Sequence, residues 1–242
     1  DRAEKTSGRG RLLAERQRQK TELDLKSAAS KLERIKPLSF GIGSSHVPSG
    51  KTVLTFHGVT GGPDGRTAVI DRLSLSVTGS ERVAVTGPNG SGKTTLLRLA
   101  AGELAPAAGN IHRSGPFAML DQSVSLLDPE RTVLENFRRL NGSSTDNDCR
   151  AALARFLFRA DAALRPVAAL SGGEVLRAGL ACVLGGNASP DLLILDEPTN
   201  HLDLASVAAI EAALNAYDGA LLVVSHDEDF LSEIGIGKRI AL

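Results

Sequence analysis

The run Gly87-Pro88-Asn89-Gly90-Ser91-Gly92-Lys93-Thr94 follows the apolar, β-branched stretch Val83 to Thr86 and opens a helical pattern from Thr94 to Ala101. Strand, glycine-rich turn and helix in that order make a phosphate-binding loop. The glycines let the backbone wrap so that its N–H groups converge on an anion, and the helix N-terminus adds positive potential. Lys93 can reach the β- and γ-phosphate oxygens of a nucleotide as a point charge, and the Thr94 hydroxyl can ligate Mg2+. Thr95, next in line, is placed for the α-phosphate.

Two further strand ends carry chemistry. Leu192-Leu193-Ile194-Leu195-Asp196-Glu197 is an apolar run closing on two carboxylates, as expected of a buried strand whose C-terminal edge meets the phosphates. Asp196 is positioned to hold Mg2+. Glu197 is the natural general base for an attacking water, because the proton must be accepted beside the γ-phosphate. Ser225-His226-Asp227 follows the apolar run Leu221 to Val224, so His226 can donate to the same phosphate. His46, His57 and His112 lack such a setting and read as structural or surface residues.

Around these motifs the chain alternates strands, such as Lys51 to Phe56 and Arg82 to Thr86, with helical patterns, which defines an α/β core. Between Asp128 and Leu170 the pattern turns helical, with Val133, Leu134 and Phe137, then Leu153, Phe156 and Leu157, forming apolar faces. An inserted helical subdomain over about 128–180 is therefore expected. A helix from Ala205 to Ala216 separates the last two apolar runs. Residues 11–36 contain neither Pro nor Gly and space Leu25, Ala28, Ala29, Leu32 and Ile35 as one amphipathic helix. Pro37 stops it, and a Gly- and Ser-rich flexible joint leads to residue 50. The expected division is an arm and joint over 1–50 and a nucleotide-binding domain over 51–242.

The 242 residues carry 28 Lys and Arg against 28 Asp and Glu, but residues 1–36 hold eleven basic against six acidic side chains. The basic charge is local to the arm, which suits either a polyanionic neighbour or a solvated helix face. Only two cysteines occur, Cys149 and Cys182, in no pairing or metal-ligand pattern, and a reducing cytoplasm fits them. No apolar run approaches the roughly 20 residues of a bilayer span. Asp1 opens the chain with no apolar signal region, so a piece of a longer protein is expected.

Leu170-Ser171-Gly172-Gly173-Glu174, between the phosphate loop and the Asp196-Glu197 strand, resembles the signature motif of ATP-binding cassette (ABC) proteins. The resemblance runs from Lys51 to the end. It implies an α/β P-loop NTPase core of ABC type with a mixed sheet, an inserted helical signature subdomain and an N-terminal helical linker arm. It also implies ATP and Mg2+ as ligands, and a composite site. In that site Ser171, Gly172 and Gly173 of one cassette cap the γ-phosphate held by another, supplied by the same full-length chain or a homodimer. Gln122 corresponds to the loop residue that senses Mg2+ and water, and Asp203 to the residue that contacts the opposite cassette. One departure is plain: Gly61, Gly62 and Pro63 stand where the family places an adenine-stacking aromatic.

Glu197-Pro198-Thr199-Asn200-His201-Leu202-Asp203 resembles the soluble ABC-F branch, since transport ATPases usually carry a small pair where Asn200-His201 stands. Phe156-Leu157-Phe158 is similar to the second cassette of that branch. The resemblance implies a ribosome-bound translation factor or antibiotic-resistance protein, with rRNA and tRNA as partners of the arm. The energy-coupling subunit of an ABC transporter and a nucleic-acid-organising ATPase are the alternative classes.

Overall fold

The computed structural model describes residues 42–63, 68–200 and 202–242. The arm helix read over 11–36 lies outside the described residues. Within the joint, Ser44 Oγ donates to Asp218 Oδ2 at 2.6 Å and the Ser45 N–H to Asp218 Oδ1 at 2.9 Å. Lys51 Nζ then pairs with Asp191 at 2.7 Å, so residues 44–51 are tied to the core at both ends.

Parallel and antiparallel pairing are both present, divided between two sheets. Strands β1 (Thr52–Gly61), β2 (Ile70–Thr78) and β4 (Ala108–Arg113) form an antiparallel sheet in the order β2-β1-β4. Strands β3 (Arg82–Thr86), β5 (Phe117–Leu120), β6 (Leu192–Asp196), β7 (Ala220–Val224) and β8 (Lys238–Ala241) form an all-parallel sheet in the order β5-β6-β7-β3-β8. β1 runs well past the Phe56 expected from sequence. Gly58, at φ 56°, sits where the pairing with β2 shifts register, and the ladder resumes beyond it.

β6 and β7 are buried along their whole length, which explains their unbroken apolar runs. Their alternate residues serve two layers. Val83, Val85, Leu192, Ile194, Leu222 and Val224 join Leu54, Phe56, Val59 and Val77 of the antiparallel sheet in one apolar cluster, together with Leu96, Leu97 and Leu99 of helix α1 (Lys93–Ala101). Ala84, Leu193, Leu195, Leu221 and Val223 are buried outside that cluster.

The helical region comprises α2 (Val133–Leu140), α3 (Asp146–Arg155) and α4 (Gly172–Leu184). Each opens on a capping box, Thr132 with Glu135, Thr145 with Asp148 and Ser171 with Glu174, so sequence sets all three starts. Fully buried Asn136 accepts from the Asp128 N–H and donates to the Asp128 and Thr132 carbonyls, which closes the loop before α2. Two more helices follow, α5 (Leu204–Ala216) and α6 (Glu228–Glu233). The Arg82 guanidinium reaches the Leu214, Tyr217 and Ile234 carbonyls at 2.7–2.8 Å and satisfies the ends of both.

α4 lies close against the turn after β5. A Cβ at Gly179 would sit 2.6 Å from Val124 Cγ1 and 3.2 Å from Leu120 Cδ2. Val124 is buried and held at φ 51°, so it has little room to yield. Gly179→Val is therefore expected to destabilise the fold by about 2 kcal/mol through overpacking. A urea transition at the wild-type midpoint would show that the two elements are not wedged together.

Candidate nucleotide site

The site is built at the C-terminal ends of β3, β6 and β7. After β3 the backbone turns through Gly87, Gly90 and Gly92, at φ 148°, 84° and 100°, with Gly92 as the left-handed N-cap of α1. The helix starts at Lys93, one residue before the sequence expectation. At Gly87 a Cβ would meet the Leu242 carbonyl oxygen at 2.7 Å and Ser91 Oγ at 2.8 Å, so only glycine fits the entry to the turn. Ser91 Oγ is buried inside the loop without a hydrogen-bond partner. Lys93, 8% exposed, folds its ammonium back onto the Gly87 and Pro88 carbonyls at 2.9 and 3.0 Å.

One open cleft of about 610 Å3 runs along this loop, within the range of small-molecule sites. Asn89, Gly90, Gly92, Lys93, Thr94 and Thr95 line it from the loop side, and Gln122, Asp196, Glu197 and His226 from the strand ends. Residues separated by over a hundred positions in sequence thus converge. The structure adds Asn200, Pro63 and Val69 to the walls. Asn200 stands in a motif legible in the sequence, but Pro63 and Val69 carry no chemical signal that would single them out.

Asp196 is buried, with the Thr94 hydroxyl near its carboxyl. Burial pushes its carboxyl above the usual range, the neighbouring Asp121 adds to the effect, and Thr94 and Lys93 oppose it. Such a carboxylate gains from a cation. Among the described residues no group of three or more His, Cys, Asp or Glu gathers to hold a metal alone. A hydroxyl and a single carboxylate, Thr94 and Asp196, are a donor set that suits Mg2+, which takes few protein ligands and completes its shell with water and substrate phosphates.

Glu197 lies just past β6 at φ 49°, a left-handed conformation rare for a side-chain-bearing residue. Its N–H donates to the Val224 carbonyl at 2.9 Å, which fixes the turn against β7. The side chain is 10% exposed and its Oε1 lies 3.3 Å from Nε2 of the half-exposed His226. Gln122 is exposed, beyond the Asp121 turn that accepts from the Ser123 hydroxyl and the Ser125 N–H.

Ser171, Gly173 and Asp203 do not line this cleft. Ser171 is exposed at the N-terminus of α4, where its hydroxyl accepts from the Glu174 N–H and its own N–H donates to the Glu174 carboxylate. Burial would raise the Glu174 carboxyl, but the Ser171 N–H and the Arg165 guanidinium, at 2.8 Å, hold it below its ordinary value. The capping box leaves the Gly172 and Gly173 N–H groups as first-turn donors with no intrahelical acceptor. A Cβ at Gly173 would lie 2.4 Å from Ser206 Oγ, so the second glycine is also needed for packing on α5. Asp203 caps α5 through the Ser206 N–H at 2.8 Å, a bond that keeps its carboxyl below the usual range. Leu204 beside it is 72% exposed.

Residues 70–200 match the family model described as ABC transporter, and the chain belongs to that family of ATP-binding cassettes. It is 40% identical over 193 residues to the ATP-binding protein Uup of Haemophilus influenzae, covering 76% of this chain and 29% of that protein. It is 37% identical over 171 residues to ATP-binding cassette sub-family F member 3 of Homo sapiens, covering 69% of this chain and 24% of that one. The chain thus spans 24–29% of the length of these relatives. Among solved structures, a bacterial Atm1-family ABC exporter with ATP bound superposes with a TM-score of 0.63 at 22% identity, over 79% of this chain and 37% of that one, a likeness of fold. The resemblance to ABC-F proteins read from Asn200-His201 agrees with the sub-family F relative.

Proposed function

We propose that the chain is one cassette of an ABC-F ATPase that acts on the ribosome, and that it hydrolyses ATP to ADP and phosphate in a site completed by a second cassette. The observation that carries this reading is the division of the motifs. Lys93, Thr94, Asp196, Glu197 and His226 share one cleft, whereas Ser171 is exposed outside it, free to face another molecule.

The main-chain N–H groups of the loop from Asn89 to Lys93, other than that of Ser91, and the Lys93 ammonium grip the β- and γ-phosphates. Thr94 and Asp196, with Gln122 at the edge, would hold Mg2+, which would offset the charge of the phosphate oxygens. Glu197 accepts a proton from water as the water oxygen bonds to the γ-phosphorus and the bond to the β–γ bridging oxygen breaks. His226 donates to a γ-phosphate oxygen. Ser171 and the Gly172 and Gly173 amides of the second cassette cap that phosphate from the far side, and Asp203 contacts the opposite cassette. Binding closes the pair and hydrolysis opens it. The ABC-F reading is preferred to a transporter's coupling subunit on Asn200-His201 and on the likeness to a sub-family F relative.

If completion in trans is right, turnover per chain rises with protein concentration as two copies meet head to tail. A specific activity independent of concentration would reject it. The ribosome reading is tested separately by sedimenting ribosomes with the chain in Mg-ATP. Cosedimentation that weakens steeply with salt is expected, and none at low salt would remove the ribosome from the proposal.

A further inference from the structure

Ser171 and Asp203, the exposed residues proposed above to meet the second cassette, cap α4 and α5, and the first turns of those helices lie in contact. A Cβ at Gly173 would sit 2.4 Å from Ser206 Oγ, and one at Gly172 3.9 Å from Leu202 Cδ2. Arg177 stands on α4 one turn beyond Glu174, with its guanidinium carbon 5.2 Å from the centroid of the buried Phe158 ring. Burial draws its pKa down, against the charges of Glu174 and, across the helix pair, of Asp203. Both carboxylates shape an exposed turn: Glu174 accepts from the Ser171 N–H at 2.8 Å, and Asp203 from the Ser206 N–H at 2.8 Å. Resting on the two-cassette reading above, we infer that Arg177 is a positioning residue, a cation shared by Glu174 and Asp203 that holds the Ser171 turn and the Asp203 loop as one face toward the second cassette.

Packing does not account for the choice of side chain. Among the described residues the Arg177 Nε is buried without a hydrogen-bond partner, which costs stability, whereas a methionine would lie on the Phe158 ring with no polar atom left unmet. What arginine supplies is a permanent charge on a planar group that the ring keeps in one place. Phe158 is itself fixed, its N–H donating to the Leu153 carbonyl of α3 at 2.9 Å. The cation is thus anchored from the helical region and acts on Ser171, through Glu174, and on Asp203. Arg177, like those two, does not line the nucleotide cleft, so its influence falls on closure of the pair and not on the grip on nucleotide.

The test compares the wild-type chain with Arg177→Met and Arg177→Lys in melting temperature, in affinity for the β,γ-imido analogue of ATP with Mg2+, and in ATP turnover as a function of protein concentration. Arg177→Met is expected to melt within a few degrees of wild type and to bind the analogue equally well, yet to need about tenfold more protein for half-maximal turnover. Arg177→Lys keeps the charge without the plane, and is expected to recover about threefold of that loss. Asp203→Asn, which still caps α5 but carries no charge, is expected to add little to Arg177→Met, because both variants break one arrangement. A half-maximal concentration for Arg177→Met within about twofold of wild type, or additive losses in the double variant, overturns the inference and leaves the two-cassette reading intact. Melting about ten degrees lower in both Arg177 variants, with turnover lost in proportion, assigns the residue to the fold alone and overturns it as well. Wild-type turnover per chain that ignores concentration removes the two-cassette reading, and the inference with it.

Discussion

Glu197→Gln is expected to lower ATP turnover by at least about a hundredfold, the usual scale of a positioned general base, while Mg-ATP affinity stays within a few fold. The amide matches the carboxylate in shape but cannot take the proton from water. What makes the residue suited to the task is its placement. A left-handed φ of 49° directs the chain out of β6 immediately after the buried Asp196, and the Glu197 N–H is locked onto the Val224 carbonyl. The carboxylate is thereby held, nearly buried, 3.3 Å from His226. Asp196→Asn makes the contrasting case: it removes the charge proposed above to hold Mg2+, so binding as well as turnover should weaken. Single-turnover hydrolysis and nucleotide titration on both variants separate the roles. Turnover in Glu197→Gln close to wild type would move the base elsewhere.

The cleft was largely legible because its chemistry is local in sequence. A loop of Gly87, Gly90 and Gly92, an apolar run ending in Asp196-Glu197, and His226 after a second apolar run each announce a strand end, and parallel strands bring such ends to one edge. The antiparallel sheet was harder to see. β2 begins with Ile70-Asp71-Arg72 and then alternates Leu73, Leu75 and Val77 with serines, since only one of its faces is covered, and its charged start hides that alternation. Gly58 looks like a strand end but marks a shift of register within β1. The strand order β5-β6-β7-β3-β8 depends on contacts distant in sequence, which no local pattern encodes. The same holds for Gly173 and Gly179. Their roles as close-contact points emerge only once Ser206 and Val124 are in place against them.

Lys93→Ala is expected to weaken Mg-ATP binding on the order of a hundredfold, the scale of one to two charge-assisted hydrogen bonds lost from a partly buried site. Two effects combine. The ammonium is the cleft's positive side chain nearest the phosphates, and before nucleotide arrives it is held by the Gly87 and Pro88 carbonyls at 2.9 and 3.0 Å. Those carbonyls keep the charge poised inside the loop, so little ordering remains to be done on binding. Removing it also leaves both carbonyls without that donor, so the nucleotide-free variant should melt a few degrees lower. Lys93→Arg should not restore affinity, because a planar guanidinium cannot occupy a space shaped around a compact ammonium between two carbonyls. Calorimetry on the two variants checks both steps. Affinity within threefold of wild type in Lys93→Ala would mean that the main-chain amides alone grip the triphosphate and that the lysine serves the loop.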